Sequence, residues 1–264
     1  MSVYEKCYNW RVLQGVHRIV GGNLTAEGEI PWQCSLLKSD NTWLGCGAVL
    51  LHCNPTIVLT AAHCFQGSRT GLRVSCGGHK VRYGTALPLG QHEQRLGVKE
   101  IILHPDYNPR TSEHDIALLK LEKEFNCEKR ELYPACLPRK SSYAGWHKGL
   151  VTGWGYTTEG GTLSETLRKA RVPIVSDAVC SREYGDYLHP SVMVCAGKKG
   201  VDACQGDSGG PLVVQDDQHL GWALIGIVSW GFGCARHFGV YTEVSYYIPW
   251  IAENYGLLPP DGFN

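Results

Sequence analysis

The chain is built from short apolar runs, and their length restricts its fold more than any other feature. Runs rich in Val, Ile and Leu recur about every 10 to 20 residues, and Gly, Pro, Asn and Asp separate them. They lie at 33–37, 47–51, 57–61, 97–103, 116–121, 149–153, 192–196, 211–214, 222–230 and 239–244. Most are too short to form a stable helix, so the sequence predicts an all-β barrel or sandwich with few helices.

Two stretches have helical patterns instead. Residues 176–184 begin at Ser176, a residue type that commonly caps helices. Residues 245–255 carry apolar side chains at positions i, i+3, i+4 and i+7, with Ser245 before the pattern and Gly256 after it. We therefore expect one internal helix and one C-terminal helix.

Composition excludes several classes of function. The 264 residues include 25 Lys+Arg and 25 Asp+Glu, so the formal net charge is +0. A chain without excess positive charge is not drawn as a whole to nucleic acid or to an anionic membrane surface. The 32 Gly and 13 Pro are too few to indicate low-complexity disorder. The length allows one or two folded domains.

The chain has 12 cysteines, although its length suffices for a core without disulfides. An even number with no repeated CxxC pairing indicates disulfides formed in an oxidising compartment, and a reduced cytosolic protein with scattered core cysteines is the alternative. No segment has the ~18 apolar residues of a membrane span, and the start MSVYEKCYNW lacks the apolar stretch of a signal peptide. We therefore expect a secreted protein whose natural start is not Met1, either the C-terminal piece of a longer chain or an incomplete gene model.

The segment Asp202–Pro211, with the sequence DACQGDSGGP, is the most specific in the chain. Its Ser208 has glycines nearby on both sides, and glycine is favoured where backbone must approach a substrate closely. Backbone N–H groups beside such a serine can hold a developing oxyanion. Ser208 is therefore the candidate nucleophile.

A serine hydroxyl attacks only when a base takes its proton, so the site also needs a histidine and a carboxylate that orients it. His63 lies in the segment TAAHC at the end of an apolar run, beside Cys64. Asp115 opens the apolar run 116–119 and can enter the interior with it. Each residue alone is a weak signal, but together they indicate nucleophilic catalysis by serine.

These motifs, in the order His63, Asp115 and Ser208, resemble the trypsin/chymotrypsin family of serine proteases from residue 18 to about 256. An α/β-hydrolase is the competing enzyme class, because residues 206–210 also fit the motif G-x-S-x-G. That class needs an acid and then a histidine after the serine, with alternating helices and strands, so the chain order here excludes it. A non-catalytic, protease-like binding module is the alternative outside the enzymes.

The resemblance implies an all-β, trypsin-like serine protease fold. Two six-stranded antiparallel Greek-key β-barrels would lie near residues 19–140 and 141–244, with a C-terminal helix at 245–255 and the active site in the cleft between the barrels. Residues 1–18 would form an activation segment, and residues 19–264 the protease domain.

The resemblance also implies a role for each motif residue. Ser208 would be the nucleophile, His63 the general base and acid, and Asp115 the residue that orients the imidazole. The backbone N–H groups of Gly206 and Ser208 would form the oxyanion hole. The reaction would be hydrolysis of peptide bonds in protein or peptide substrates, without a cofactor.

Specificity would depend on Asp202, six residues before the nucleophile, at the bottom of the family's primary pocket. A carboxylate there favours Arg or Lys before the scissile bond, because Arg can form forked hydrogen bonds with it whereas an apolar side chain would leave the charge unpaired. Ala203 stands where trypsin has a serine. In this family, the loss of that serine hydroxyl favours Arg over Lys. The other substrate-binding residues would be Gln205, the edge-strand residues Ser229, Trp230 and Gly231, and the pocket-wall residue Gly239.

The segment HRIVGG resembles the family's activation junction. An activating protease would cut between Arg18 and Ile19, and the freed α-amine of Ile19 would pair with Asp207. The chain would then be a zymogen whose pocket and oxyanion loop become ordered after the cut. Serine protease inhibitors would be further partners, whereas nucleic acid and a membrane segment are not expected.

Twelve cysteines allow about ten thousand pairings, so the sequence alone fixes none of them. The resemblance implies Cys46–Cys64, Cys180–Cys195, Cys204–Cys234 and Cys7–Cys136, the last of which would tether the cleaved segment. From the arrangement of the family's first barrel we expect Cys34–Cys76 and Cys53–Cys127, the latter as in mosaic proteases of the neurotrypsin type.

Three weaker signals concern modification and ions. Asn23 begins the sequon Asn-Leu-Thr and is a candidate for glycosylation. The family's calcium loop would lie at 76–98, where Glu93 is the only carboxylate, so no metal is expected. Phe238 stands where the family usually has proline; sodium-sensitive members have an aromatic residue there, but packing is its expected role in a loop this short.

Overall fold

The computed structural model describes residues 22–67, 69–128, 132–138, 148–216 and 221–256. These residues form two closed six-stranded antiparallel β-barrels, which confirms the predicted fold class. No helix in these ranges is long and apolar enough to cross a membrane.

Strands are the main regular elements of the described residues, and the helices are short. The strands are β1 (Asn23–Leu24), β2 (Gln33–Leu37), β3 (Trp43–Cys53), β4 (Thr56–Thr60), β5 (Arg73–Cys76), β6 (Gln94–Leu103), β7 (Ala117–Leu121), β8 (Lys148–Gly153), β9 (Arg168–Val175), β10 (Met193–Ala196), β11 (Pro211–Asp216), β12 (Gly221–Trp230) and β13 (Gly239–Glu243). The α-helices are α1 (Asp177–Tyr184) and α2 (Ile248–Tyr255), and 3₁₀ turns lie at Ala62–Phe65, Gly185–Tyr187 and Val244–Tyr247.

Each barrel closes through antiparallel pairs. The first has the order β2-β3-β4-β7-β6-β5. In the second, β9-β10-β13-β12-β11-β8 are neighbours, and β8 also pairs with β9 and closes the ring. The short β1 adds to β9, with Asn23 opposite Lys169, so the start of the described chain is attached to the second barrel.

Several strands are buried on both faces, which explains why their sequences are continuous apolar runs rather than alternating ones. In β4, Val58 packs inside the first barrel, while Ile57 and Leu59 pack into a layer shared by the two barrels. In β12, Ile225 lies inside the second barrel and Leu224 in the same shared layer. The two barrels therefore share one apolar layer to which both strands contribute.

The sequence patterns missed β1, β5 and β9. Strands β1 and β5 are short, and β9 (RKARVPIV) is rich in basic residues. One of these residues, Lys169, is nevertheless buried, because it forms an ion pair with the buried Glu29. A partner this far away in sequence leaves no local pattern that would identify the strand.

The C-terminal helix begins later than predicted. It starts at Ile248 rather than near Ser245, because residues 244–247 form a 3₁₀ turn in which Ser245 Oγ donates to Glu243 Oε1 at 2.7 Å instead of capping the helix. Gly256 ends the helix with a left-handed φ of 63°, as predicted.

Five disulfides join described cysteines, and they are pairs that the family resemblance implied: Cys34–Cys76, Cys46–Cys64, Cys53–Cys127, Cys180–Cys195 and Cys204–Cys234. Cys34 and Cys76 lie directly opposite each other on β2 and β5. The expected pair Cys7–Cys136 involves Cys7, which lies outside the described residues.

A cationic side chain organises the loop between β5 and β6. Glu93 is buried, and its carboxylate accepts hydrogen bonds from Arg95 Nε at 2.5 Å, from the Gly90 amide at 2.8 Å and from the Ser75 hydroxyl. Arg95 also donates to the carbonyl oxygen of Leu87 at 2.9 Å. These donors engage the carboxylate from within the chain, and the expectation that no metal binds here stays a prediction.

Replacing Arg95 with Leu should lower the free energy of unfolding by about 3 kcal/mol, because it leaves the Glu93 carboxylate buried without its cation. Arg82→Leu is the matched control, since the ion pair of Arg82 with Glu165 is exposed and such pairs add little to stability. Urea unfolding followed by tryptophan fluorescence measures both variants. Equal losses would contradict the assignment of the larger effect to burial.

Candidate active site

His63 and Asp115 form a hydrogen-bonded pair. His63 lies in the 3₁₀ turn Ala62–Phe65 directly after β4, where Cys64 is bonded to Cys46. Asp115 lies just before β7, and its side chain is 0% exposed. One carboxylate oxygen accepts the His63 backbone amide at 2.8 Å, and the other lies 2.7 Å from His63 Nδ1.

This geometry orients the imidazole. A carboxylate accepts hydrogen bonds, so Nδ1 carries the proton that faces Asp115, and in the neutral imidazole Nε2 is then the acceptor. Ser229 Oγ donates to the same carboxylate oxygen at 2.5 Å, and Thr242 Oγ1 donates to the Asp115 carbonyl oxygen at 2.7 Å. Asp115 is therefore held by donors from both barrels.

Ser208 lies in a turn that packs against the chain leading to His63. Its carbonyl oxygen accepts the Gly47 amide at 2.8 Å. At Gly209, where φ is 77°, an added Cβ would lie 2.2 Å from Thr60 Oγ1. Glycine at this position therefore permits the close approach of the two segments.

A cavity of about 190 Å³ opens beside Ser208. The residues that line it include all of those that the sequence suggested for substrate binding. Its lining consists of Asp202, Ala203, Cys204, Gln205, Ser208, Val228, Ser229, Trp230, Gly231, Gly233, Cys234, Gly239, Val240 and Tyr241. A substrate side chain in this cavity would therefore lie close to the candidate nucleophile.

Asp202 is the charged residue of this lining, and it is 2% exposed. Its Oδ1 accepts the Ala203 amide at 2.7 Å and lies 3.4 Å from the Tyr241 hydroxyl. Burial raises the pKa of Asp202 to about 7; the hydrogen bond from the Ala203 amide opposes this rise, and the charge of Asp207 adds to it. An added Cβ at Gly239 would lie 2.5 Å from Asp202 Oδ1, so glycine there leaves room for the carboxylate.

Asp207, next to Ser208, is a second buried acid of this turn, and glycines make room for it. Its two oxygens accept the Gly155 amide at 2.7 Å and the Cys204 amide at 2.9 Å. An added Cβ at Gly153 would lie 2.0 Å from Asp207 Oδ1. Burial raises the pKa of Asp207 to about 6 in spite of the two hydrogen bonds.

The residues expected at the activation junction, Arg18 and Ile19, lie outside the described residues. The pairing of the Ile19 amine with Asp207 therefore stays a prediction. Asn23 lies in β1 and is partly exposed, and its glycosylation also stays a prediction.

Aromatic side chains support the wall of the cavity. Trp230 meets Tyr184 edge to face, with ring centroids 5.0 Å apart. The Tyr184 hydroxyl donates to the carbonyl oxygen of Phe238. The Phe238 side chain packs against the layer shared by the barrels, the role expected for it.

One group of metal-ligating residue types occurs in the described part of the chain. Ligand atoms of Cys46, His63 and Cys64 lie within 4.8 Å of one another. The two cysteines are joined in a disulfide, so neither supplies a thiolate. The group leaves His63 alone as a ligand, which does not make a metal site.

With this geometry established, the trypsin family model matches residues 19–251 of the chain. The chain belongs to the trypsin family. It is a serine-type endopeptidase of the trypsin class.

Three relatives illustrate the range of this family. The protease is 41% identical over 252 residues to Trypsin-1 of Astacus astacus, which covers 89% of this chain and 99% of that protein. It is 39% identical over 247 residues to coagulation factor XI of Bos taurus, covering 89% of this chain and 37% of the relative. It is 39% identical over 275 residues to protein masquerade of Drosophila melanogaster, covering 95% of this chain and 25% of the relative. The chain thus spans a minority of the length of the last two.

Sequence reasoning missed several residues that build the site of this trypsin-family protease. Thr242 and Tyr241 come from β13 and contact acids far from them in sequence, so no spacing pointed to them. Gly153 and Gly155, which make room for Asp207, had a signal in the repeated glycines of the segment GWG at 153–155.

The raised pKa of Asp202 predicts how a cation binds in the pocket. A cation prefers the ionised carboxylate, and in the empty pocket that form predominates only above about pH 7. The affinity for benzamidine should therefore level off above about pH 8 and fall about tenfold per pH unit below pH 7, with a proton released on binding. Competitive inhibition of the catalytically active enzyme between about pH 5.5 and 9 measures this dependence.

The isosteric variant Asp202→Asn is the control for this titration. It should bind benzamidine weakly, and the pH profile of that binding should be flat. Wild-type affinity that stays constant between about pH 7 and 5.5 would mean that Asp202 remains ionised in the empty pocket.

Proposed function

We propose that this protease cleaves peptide bonds after Arg or Lys outside the cell and that it is made as a zymogen. The observation that carries the specificity is the position of Asp202, a buried carboxylate in the same cavity that Ser208 borders. An Arg side chain in the cavity would pair with this carboxylate through forked, charge-assisted hydrogen bonds. An uncharged side chain would leave the carboxylate desolvated and unpaired.

Arg is the preferred residue of the two. A Lys ammonium has three donors, and it needs acceptors around the Asp202 carboxylate to satisfy them. Ala203 supplies no hydroxyl there. The guanidinium of Arg can engage both carboxylate oxygens directly, so the missing hydroxyl should cost Arg less than Lys.

In the proposed mechanism, Ser208 Oγ attacks the carbonyl carbon of the substrate while His63 Nε2 takes its proton. Asp115 stabilises the imidazolium that forms, because its carboxylate lies 2.7 Å from Nδ1. His63 then donates this proton to the leaving amine, and an acyl-enzyme on Ser208 remains. Water, deprotonated by His63, attacks the acyl-enzyme and restores the free serine.

Negative charge develops on the carbonyl oxygen during each attack. The backbone N–H groups of Gly206 and Ser208 would stabilise it as an oxyanion hole. The backbone of Gly206 supports this role, since its φ is 96° and an added Cβ would lie 2.9 Å from Leu163. A residue with a side chain would therefore strain the peptide that carries one of the two donors.

The main chain of the substrate would lie along Ser229, Trp230 and Gly231, at the end of β12. These residues border the cavity together with Gln205. An extended substrate can add to such a strand through backbone hydrogen bonds. In this arrangement Ser229 would use its backbone for the substrate and its hydroxyl for Asp115.

Activation would follow cleavage between Arg18 and Ile19. Asp207 is a buried carboxylate whose raised pKa reflects the cost of its charge, and a cation beside it would lower that cost. The new α-amine of Ile19 would supply the cation. Because Gly206 and Ser208 flank Asp207 in the same turn, the pair would also order the oxyanion hole.

The proposed location and partners of the protein are inferred from its disulfides and its proposed activity. Five disulfides among the described cysteines support an oxidising, extracellular environment. Residues 1–18 would stay attached to the protease domain, 19–264, through Cys7–Cys136, and Asn23 would be available for glycosylation. The partners would be protein or peptide substrates, an activating protease and serine protease inhibitors.

Replacing Asp202 with Ser should lower kcat/KM for an Arg-amide substrate by about 10³-fold or more, because the cation of the substrate would be buried without a partner. Asp186→Ser is the control, since Asp186 is an exposed acid outside the cavity. Hydrolysis of a chromogenic substrate by the activated variants measures the effect. Labelling of Ser208 by a serine-directed phosphonate shows that the nucleophile is intact, and retained cleavage after Arg would refute the assignment.

Replacing Arg18 with Gln should leave the protein inactive after incubation with an activating protease of trypsin-like specificity, because no Ile19 amine is formed. Arg11→Gln is the control, and it should activate normally. Turnover together with N-terminal sequencing measures the outcome. Activity that develops without a free Ile19 terminus would contradict the activation mechanism.

A further inference from the structure

The loop at 104–116 places two non-glycine residues in left-handed backbone. Ser112 has a φ of 57° and His114 a φ of 54°. This conformation is unfavourable for residues with a side chain, so contacts elsewhere must hold it. Because His114 immediately precedes Asp115, whatever holds His114 also sets the direction in which the Asp115 side chain leaves the loop.

Aromatic neighbours, chiefly His104 and Tyr247, hold the His114 ring. It stacks on His104, with centroids 4.8 Å apart and planes inclined by 11°, and its Nδ1 lies 3.0 Å from the Tyr247 hydroxyl. His104 is itself fixed, since its ring centroid lies 5.2 Å from that of Tyr247 and 5.1 Å from that of Trp250. Tyr247 is buried just before α2, so the contact ties a loop of the first barrel to the C-terminal segment.

The backbone transmits this anchor to Asp115. The Ile116 amide donates to the His114 carbonyl oxygen at 2.8 Å, which closes a tight turn with Asp115 at its centre. The His104 amide donates to the Ile116 carbonyl oxygen at 3.1 Å and braces the far side of the turn. The anchored ring is therefore on the residue adjacent to the carboxylate that binds His63.

We propose that His114 is a positioning residue, whose ring, held by His104 and Tyr247, fixes the left-handed backbone that directs Asp115 toward His63. The proposal rests on the proposed role of Asp115 as the acid that orients His63. A displacement of about 1 Å can cost about 100-fold in rate, so a loosened turn should lower kcat. Binding in the cavity should not change, because none of its lining residues belongs to the loop at 104–116.

Three substitutions separate the ring from the backbone. His114→Ala removes the ring and disfavours left-handed backbone, so kcat for an Arg-amide substrate should fall about 10- to 100-fold, with KM and benzamidine affinity within about twofold. Asn tolerates left-handed backbone and offers an amide oxygen to the Tyr247 hydroxyl, so His114→Asn should stay within about threefold of wild-type kcat. His114→Gly accepts the backbone without anchoring it, and its kcat should lie between these two.

Tyr247→Phe removes only the hydroxyl and should lower kcat about 3- to 10-fold, with an effect that does not add to that of His114→Ala. His52→Asn is the matched control and should leave kcat unchanged, because the imidazole of His52 hydrogen-bonds the Pro55 carbonyl oxygen on a turn outside the site, at 2.8 Å. The proton NMR signal of His63 Nδ1–H in its bond to Asp115 gives a direct readout. It should shift in His114→Ala and return in His114→Asn.

Wild-type kcat and an unshifted NMR signal in His114→Ala would overturn the proposal. A parallel loss of kcat and benzamidine affinity would overturn it too, because that pattern indicates a general structural defect. If His114→Ala does not fold, His114→Gly and Tyr247→Phe decide by the same criteria. Failure of the proposed function is distinguishable, since Asp115→Asn would then keep full kcat whatever the His114 variants do.

Discussion

The carboxylate of Asp115 accepts hydrogen bonds from both barrels, and the candidate active site depends on them. It is removed from water, and a buried charge is stable only when donors surround it. The amide and ring of His63 supply two hydrogen bonds from the first barrel, and the hydroxyl of Ser229 supplies a third from the second. Separation of the barrels would remove the Ser229 donor and leave this charge less satisfied. Because Asp115 orients His63, the orientation of His63 depends on hydrogen bonds from both barrels.

Among the described residues of the candidate site, Asp115, Asp202 and Asp207 are buried acids, and they differ in how their charge is satisfied. Asp115 has donors from two barrels, as described above. For Asp202 and Asp207, burial outweighs the neighbouring amides and raises the pKa to about 7 and about 6. In the proposed function, these two acids receive their cations late: Asp202 from the substrate and Asp207 from the α-amine that cleavage creates. A cation beside either carboxylate lowers the cost of its buried charge, so in the proposed function each acid favours the step that brings a cation to it.

The sequence predicted those parts of the molecule that local chemistry restricts. Attack by a serine needs a base, an acid that orients the base, and backbone that approaches the substrate closely. These needs restrict the residue types around His63, Asp115 and Ser208, and the segments that carry them are therefore recognisable. The strands of the barrel cores were visible for a similar reason, since burial on both faces demands runs of apolar residues. Fold class could therefore be predicted without coordinates, and the candidate catalytic residues lie in segments that the sequence had already singled out.

Contacts between distant parts of the chain could not be predicted in this way. Thr242 reaches Asp115 across 127 positions, and Tyr247 reaches His114 across 133. A hydrogen bond of this kind imposes no periodicity on either segment, and the backbone angle of His114 cannot be inferred from its residue type. The strand β9 was missed for the same reason, because Lys169 is buried beside a partner 140 positions away.

The cation that holds the loop between β5 and β6 is the guanidinium of Arg95, which is part of the polypeptide. A guanidinium that belongs to the chain is present at one equivalent at every dilution, and no chelator can remove it. Together with its hydrogen bonds to loop carbonyls, it balances the charge of Glu93 from within the chain. This contribution of Arg95 to the order of the loop is therefore the same at any protein concentration.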